Sequence, residues 1–249
     1  MLEAKGVQIP SRLLPMDFVA HQGEIIHIIG PNGSGKSTLL SVLSGLQMHQ
    51  GEVQFLSQPI VQFPLHELAK LRAYLCQSDR PAFNMSVFQY LSLSIPTDAD
   101  LDVVEQAVTE ISNQLCIAEK WQKNIHHLSG GEWQRVRLAG VCLQVWPSLN
   151  PQAKLLLLDE PGAPLDIAQE SQLYQMIDLI AKKGLTVIMA NHDLNRSLKH
   201  ADKVLLLKNG VMKGFGKANE ILTESTLSEV FETGITCIDH KGQPYLLFE

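Results

Sequence analysis

The sequence predicts an α/β fold with a mainly parallel sheet and an inserted helical lobe. Three observations carry that reading. Three short apolar runs, IIHII (25–29), LLLL (155–158) and TVIMA (186–190), stop abruptly at Gly30, Asp159 and Asn191. Unbroken runs of this length are what strands covered on both faces require, as in a parallel sheet. Between Asn84 and about Trp146 the apolar residues recur instead at steps of three and four, the spacing of a helix face. From Lys203 onward, Asn209-Gly210 lies between apolar segments, the dipeptide that a type I′ hairpin favours.

Taken in order, the strand 25–29 runs into a glycine-rich loop and then a helix starting at Thr38-Leu39-Leu40, and Ala73-Tyr74-Leu75-Cys76 is again strand-like. The stretch from Asp98 places Leu101, Val104, Ala107, Val108, Ile111 and Leu115 on one helix face, with Asp98 or Asp100 as its cap. A second helix begins near Ser129 and carries Val136, Leu138, Ala139, Val141 and Leu143; after the strand 155–158, Asp166 is placed to cap a helix over 167–181. In parallel sheets ligands gather beyond the carboxyl ends of the strands. The chemistry is therefore expected where these runs end.

At 249 residues the chain holds one large domain or a core with a lobe. Its 45% hydrophobic and 18% charged residues are ordinary globular usage, and no stretch reads as a disordered linker. Twenty Lys+Arg against 26 Asp+Glu gives a net charge of −6, which disfavours nucleic acid as a partner. No stretch of uninterrupted apolar residues exceeds four, whereas a membrane-spanning helix needs about 20. The start, MLEAKGVQIPSRLL, lacks the apolar core of a secretory signal, so the chain is expected to stay in the cytosol. Cys76, Cys116, Cys142 and Cys237 form no CxxC pair and are expected to be reduced, mostly buried thiols.

Gly30-Pro31-Asn32-Gly33-Ser34-Gly35-Lys36-Ser37 matches GxxxxGK[ST] directly after a strand and directly before the helix that opens with Thr38. Glycines let successive backbone N–H groups turn inward around phosphate oxygens, and the helix adds its positive end. Lys36 would reach the β and γ phosphates and Ser37 would ligate Mg²⁺. A glycine-rich turn without a ligand is the plain alternative, but each part here answers a negative charge. The strand LLLLDE then supplies Asp159 to hold Mg²⁺ through water and Glu160 to face an attacking water. A carboxylate of pKa about 4.3 is a poor base for water at about 15.7, so Glu160 is expected to orient and polarise that water. By itself a D-E pair is an ordinary strand end; after a phosphate loop it becomes a partner.

Leu128-Ser129-Gly130-Gly131-Glu132 opens the second helix, and Ser-Gly-Gly at a helix N-terminus is a second anion site. One chain with two such sites and one nucleotide loop points to each completing another subunit's pocket. Here the sequence resembles the ATP-binding-cassette family, with Glu132 standing where Gln is usual. The resemblance covers nearly the whole chain. It implies a P-loop NTPase core over 1–78 and 147–249 with an N-terminal antiparallel β element, and a helical subdomain over 79–146. It implies ATP and Mg²⁺ as cofactors and a head-to-tail homodimer, in which Ser129, Gly130 and Gly131 of one copy meet the γ-phosphate held by Lys36 of the other. Gln77 then touches Mg²⁺ and the attacking water and senses the transport partner. Asp166, beside Leu165, crosses the dimer interface, where Pro164 is less usual, and His192 contacts the γ-phosphate. Mg²⁺ is assigned to Ser37, Gln77 and Asp159, and catalysis to Glu160, His192 and Gln77. Plain alternatives stand beside these: a surface Gln, an Asp166 that only caps its helix, and a satisfied polar His.

The aromatic residue on which the family stacks adenine is missing; the corresponding position is Val7, and no aromatic precedes Phe18. Val7 or the stem of Arg12 is left to cover the ring, with weak base selectivity expected. Within the family the chain resembles the ATPase subunits of cobalamin importers of Gram-negative bacteria, through GGEWQRVRLAGVCLQ, LLLLDEP with LDIAQ, NHDLNRSLKHADKVLLLKNG and the segment around Gln77. Ferric siderophore and haem importers share most of these motifs. The implied partners are two membrane-spanning permease subunits and, through them, a periplasmic binding protein, with the chain peripheral on the cytoplasmic side of the inner membrane. Pro81, Phe83, Met85 and Val87 either form a groove for a permease helix or pack within the lobe. A soluble cassette ATPase acting on an iron-sulfur assembly scaffold stays as an alternative. A stand-alone kinase leaves LSGGE unexplained.

Overall fold

The computed structural model describes residues 1–77, 80–97 and 99–249. Two compact units emerge, Met1–Phe63 with Ile188–Glu249, and Pro64–Val187. Asp98, one of the two expected helix caps, lies outside the described residues.

The first unit opens with strands β1 (Leu2–Ile9) and β2 (Leu13–Ala20), paired antiparallel. Buried positions in β1 are Leu2, Ala4, Val7 and Ile9, so the alternation changes phase between Ala4 and Val7. A bulge there supplies the extra residue that resets which face each side chain takes. Next come β3 (Ile25–Ile29), α1 (Lys36–Leu43), β4 (Gln50–Phe55) and the short β5 (Gln58–Pro59). The antiparallel sheet runs β2-β1-β4-β5, while all five residues of β3 are buried, as its unbroken apolar run requires.

The second unit holds α2 (Leu65–Leu71), β6 (Arg72–Leu75), α3 (Val87–Ser92), α4 (Leu101–Gln114) and α5 (Gly130–Val145). These are followed by β7 (Leu155–Asp159), α6 (Ile167–Lys182) and the start of β8 (Thr186–Ala190). Strand β7 runs parallel to β6, with Arg72 opposite Leu155 and Leu75 opposite Leu158. Asp100 caps α4, accepting from the N–H groups of Asp102 and Val103 at 2.9 and 3.3 Å. Ala107, Val108, Ile111 and Leu115 are buried as expected, but Leu101 is 83% exposed. Leu101 is the first helical residue, and helix side chains lean toward the N-terminus, so it projects past the end of the packed face. Helix α5 is buried on nearly all sides, with Gln134, Arg135 and Arg137 buried alongside its apolar residues.

Back in the first unit, β8 ends and α7 (Leu194–His200), β9 (Lys203–Lys208), β10 (Val211–Lys217), α8 (Ala218–Ile221), α9 (Glu224–Phe231), β11 (Ile235–His240) and β12 (Gln243–Phe248) complete the chain. Strand β9 is parallel to β3 and antiparallel to β10, and the connecting Asn209 and Gly210 both have positive φ, 49° and 75°, the I′ geometry expected from the dipeptide. The architecture is thus α/β with mainly parallel inner strands and an N-terminal antiparallel sheet. Among the described residues no helix is long and apolar enough to cross a membrane.

One expectation is corrected and two open alternatives are narrowed. Only Cys142 is buried, its thiol pKa raised by that burial; Cys76 is half-buried, and Cys116 and Cys237 are exposed, at the turn after α4 and on the two-stranded hairpin β11–β12. Val7 is fully buried on the inner face of β1, so it offers no platform for a base. Val87 is also fully buried, which gives it the packing role, while Phe83 is 64% exposed.

Candidate nucleotide-binding and catalytic residues

The phosphate loop lies in the first unit between β3 and α1. Gly30 is required by crowding: a Cβ there would lie 2.2 Å from the Leu207 carbonyl oxygen and 2.7 Å from Ser34 Oγ. Gly35 adopts φ 106°, and a Cβ would meet Leu13 Cδ2 at 2.6 Å. Asn32 and Gly33 are exposed at the tip, Pro31 is half-buried, Ser37 is exposed and Thr38 half-buried. Lys36, 5% exposed, arches back over the loop, and its Nζ donates to the carbonyls of Gly30 at 2.9 Å and Pro31 at 3.2 Å. The tip of the β9–β10 hairpin braces the loop: Gly210 N–H donates to Ser34 O at 3.0 Å, and Leu14 N–H to Gly210 O at 2.8 Å.

Two observations fit this cradle to an anion. Among the described residues, Ser34 Oγ is buried without a hydrogen-bond partner, and no side chain caps the first turn of α1. Buried polar groups and helix-end N–H groups that the protein leaves unmatched are matched by a ligand that accepts hydrogen bonds. Beside the cradle, a cavity of about 460 Å³ runs from Ile9, Pro10 and Arg12 on the β1–β2 turn to Thr38, Ser41 and Gln47.

His192, also in the first unit, is exposed at the turn from β8 to α7. Asn191 holds that turn: its Oδ1 accepts from His192 N–H at 2.9 Å and from Asp193 N–H at 3.3 Å, and its Nδ2 donates to Ser197 Oγ at 3.0 Å. Asp193 caps α7, accepting from Arg196 N–H at 2.9 Å. Beneath them His27 Nδ1 and Ser197 Oγ are 2.9 Å apart, and burial first, then the charge of His200, lowers the His27 pKa to about 3.

Gln77, Asp159 and Glu160 come together in the second unit. Gln77 follows β6, Asp159 ends β7 at 4% exposure, and Gln77 Nε2 donates to Glu160 Oε2 at 2.9 Å. They line a cavity of about 450 Å³ with Gln134, Arg137 and Pro164. Glu160 has φ 48°, a left-handed conformation unusual for any residue but glycine.

Ser129 is the N-cap of α5, and Glu132 completes a capping box. Ser129 Oγ accepts from Glu132 N–H at 3.2 Å, and Glu132 Oε2 accepts from Ser129 N–H at 2.8 Å. Lys120 Nζ sits 2.8 Å from Glu132 Oε1; that bond, with the Ser129 N–H, holds the Glu132 pKa down at about 2. Gln would complete the same box; what Glu132 adds is the charge that pairs with Lys120. Gly130 is exposed, and a Cβ on Gly131 would lie 2.7 Å from Gln169 Oε1. Asp166 does cap α6, accepting from Gln169 N–H at 2.8 Å.

Gln134 and Arg137, which carry none of the expected site roles, also line the cavity beside Gln77 and Glu160. Gln134 Nε2 donates to Pro161 O at 3.0 Å, Arg137 Nη1 donates to Gln134 Oε1 at 3.0 Å, and Arg137 Nη2 donates to Cys76 O. The available signal was a pair of long polar residues inside an otherwise apolar helix, since such residues are rarely buried unless paired.

A family model described as ABC transporter matches residues 13–163. Similar relatives include the vitamin B12 import ATP-binding protein BtuD of Vibrio atlanticus, 53% identical over 251 aligned residues with 100% of each chain covered. The protein of the same name from Photobacterium profundum is 50% identical, covering 100% of this chain and 99% of that one. Among solved structures, cbiO1 from Clostridium perfringens, part of the ABC transporter complex cbiONQ, superposes with a TM-score of 0.75 at 26% identity over 92% of each chain. An ATP binding subunit of an ABC transporter gives a TM-score of 0.80 at 21% identity, covering 93% of this chain and 98% of that one, a likeness of fold.

Proposed function

This chain belongs to the ABC transporter family, and from that premise we propose that it is the ATP-hydrolysing subunit of an importer that takes up vitamin B12. Members of the family bind ATP and work with membrane permease components. The observation that carries the substrate is identity of 53% along the entire chain with a protein named for vitamin B12 import.

Lys36 and the N–H groups of the loop from Gly30 to Thr38 take the phosphates. The Lys36 ammonium, already turned inward over its own loop, exchanges carbonyl partners for charged ones, which are stronger. Ser37 in the first unit, and Gln77 and Asp159 in the second, each carry a hard oxygen atom of the kind that would suit Mg²⁺, which would supply charge neutralisation at the phosphates. Glu160, fixed by Gln77, accepts a hydrogen bond from the attacking water and aligns it. His192, presented by Asn191, contacts the γ-phosphate. With Val7 buried, the Arg12 stem and guanidinium cover the base in the cavity beside the loop.

Two copies act head to tail, Ser129, Gly130, Gly131 and Asp166 of one copy facing the nucleotide of the other. They sit under two permease subunits on the cytoplasmic side of the inner membrane, which a periplasmic binding protein loads. Residues 79–146 form the helical subdomain that follows the permease, with the exposed Phe83 at the contact.

Gene deletion tests the reading. Growth that depends on scarce cobalamin is expected to stop and to return with the wild-type gene but not with Glu160→Gln, while ferric siderophore uptake stays normal. Loss of siderophore uptake with intact cobalamin use would reverse the substrate assignment.

A further inference from the structure

The cluster around Glu160 closes on itself. Gln77 Nε2 donates to Glu160 Oε2, the next residue Pro161 accepts from Gln134 Nε2, Gln134 Oε1 accepts from Arg137 Nη1, and Arg137 Nη2 donates to the carbonyl of Cys76, the residue before Gln77. Four hydrogen bonds and two peptide links thus form a ring through six residues. Resting on the functional reading above, we infer that Arg137, acting through Gln134, is a positioning residue that holds Gln77 and Glu160 in register and ties that pair to the helix headed by Ser129.

Three features carry the inference. Glu160 has φ 48° and is followed by proline, which biases the preceding residue toward extended backbone. Such a conformation persists only where its surroundings over-determine it, and the Pro161 carbonyl held by Gln134 on one side with the Gln77 amide on the other does so. Second, Cys76 O lies in the same rigid peptide plane as the Gln77 nitrogen, so fixing that carbonyl fixes how Gln77 leaves β6. Third, Gln134 and Arg137 are 6% and 8% exposed and three residues apart, hence on one face of α5. A guanidinium so placed carries a desolvation penalty that apolar packing would avoid. Its retained contacts go to the flanks of the reacting pair. Arg137 lies roughly 12 Å along the helix axis from Ser129, so a displacement of α5 as a rigid rod moves the Cys76 and Pro161 carbonyls together. The ring thus connects the helix that Ser129 heads to Glu160.

The test is steady-state ATP hydrolysis by the full-length chain, with nucleotide binding and thermal melting measured alongside. Arg137→Met is expected to lower kcat by roughly 10- to 100-fold while KM for ATP stays within about threefold, because misplacing an orienting group by about 1 Å has effects of that order. Arg137→Lys is expected to restore most of the loss. In a double-mutant cycle, adding Arg137→Met to Gln77→Ala is expected to cost less than about twofold more in kcat, since both break the same ring. Independent losses that multiply, or unchanged kcat in a folded Arg137→Met chain, would overturn the inference. Should Arg137→Met not fold, Gln134→Met removes both the Pro161 and the Arg137 links of the ring, and a wild-type kcat there would overturn it equally. Absence of hydrolysis by the wild-type chain would instead overturn the functional reading on which this rests.

Discussion

His27 sits in the middle of β3 with no exposed surface, and its pKa is held at about 3 against an ordinary 6.5. A histidine with a lowered folded pKa binds its proton more readily when unfolded, so stability is complete above pH 6.5 and falls with acid down to about pH 3. Between pH 7.5 and pH 5 that single group is expected to remove about 2 kcal/mol of stability. Denaturant unfolding of the wild type and of His27→Gln, which takes up no proton, checks it: the variant's own loss over this range should be smaller by about that amount, and equal losses would exclude His27 as the cause. The same contrast of environments separates the four cysteines, which look alike in sequence and of which Cys142 alone is enclosed.

Helix α5 shows how an element hides its roles. A helix enclosed on nearly every side has no broad polar face, so its apolar spacing says little about which residues meet which neighbours. Its start is clearer, because a cap is local chemistry: Ser129 and Glu132 exchange hydrogen bonds across one turn, and Lys120 pairs with the carboxylate. Glu132→Ala removes the box and is expected to destabilise by about 1 kcal/mol, lowering the melting temperature by roughly 2–4 °C in a chain of this size. Glu132→Gln keeps the acceptor oxygen and should melt close to wild type; identical melts for all three chains would deny the box a stabilising role. Leu101 and Leu115, at opposite ends of α4, make the same point about ends, since the period that buries Leu115 leaves Leu101 in solvent.

At the scale of the whole molecule the proposed working unit is a pair of chains. Ser129→Arg places a long cation where the capping serine is expected to receive a phosphate from a second copy. Nucleotide binding by the monomer should survive, because the loop from Gly30 to Ser37 is untouched, while ATP-dependent pairing and hydrolysis should both fall by orders of magnitude. Light scattering with and without Mg-ATP, together with turnover, reads the two effects separately. Dimers with full activity would exclude the shared site.

The order of amino acids determined by itself those features that short stretches of backbone impose: the three inner strands, the phosphate loop and the helix after it, the Asn209-Gly210 turn, a cap at Asp98 or Asp100, and the helix starts near Ser129 and Asp166. Each depends on residues within about one turn of helix or one tight turn, where sterics and local hydrogen bonds leave few choices. Only the tertiary structure decided that Val7 and Val87 point inward, that Leu101 does not, and that Gln134 and Arg137 close a ring with Pro161 and Cys76, partners 27 and 61 positions away. Contacts of that kind exist because burial forces polar groups to find acceptors wherever the folded backbone brings them, and sequence distance carries no record of it.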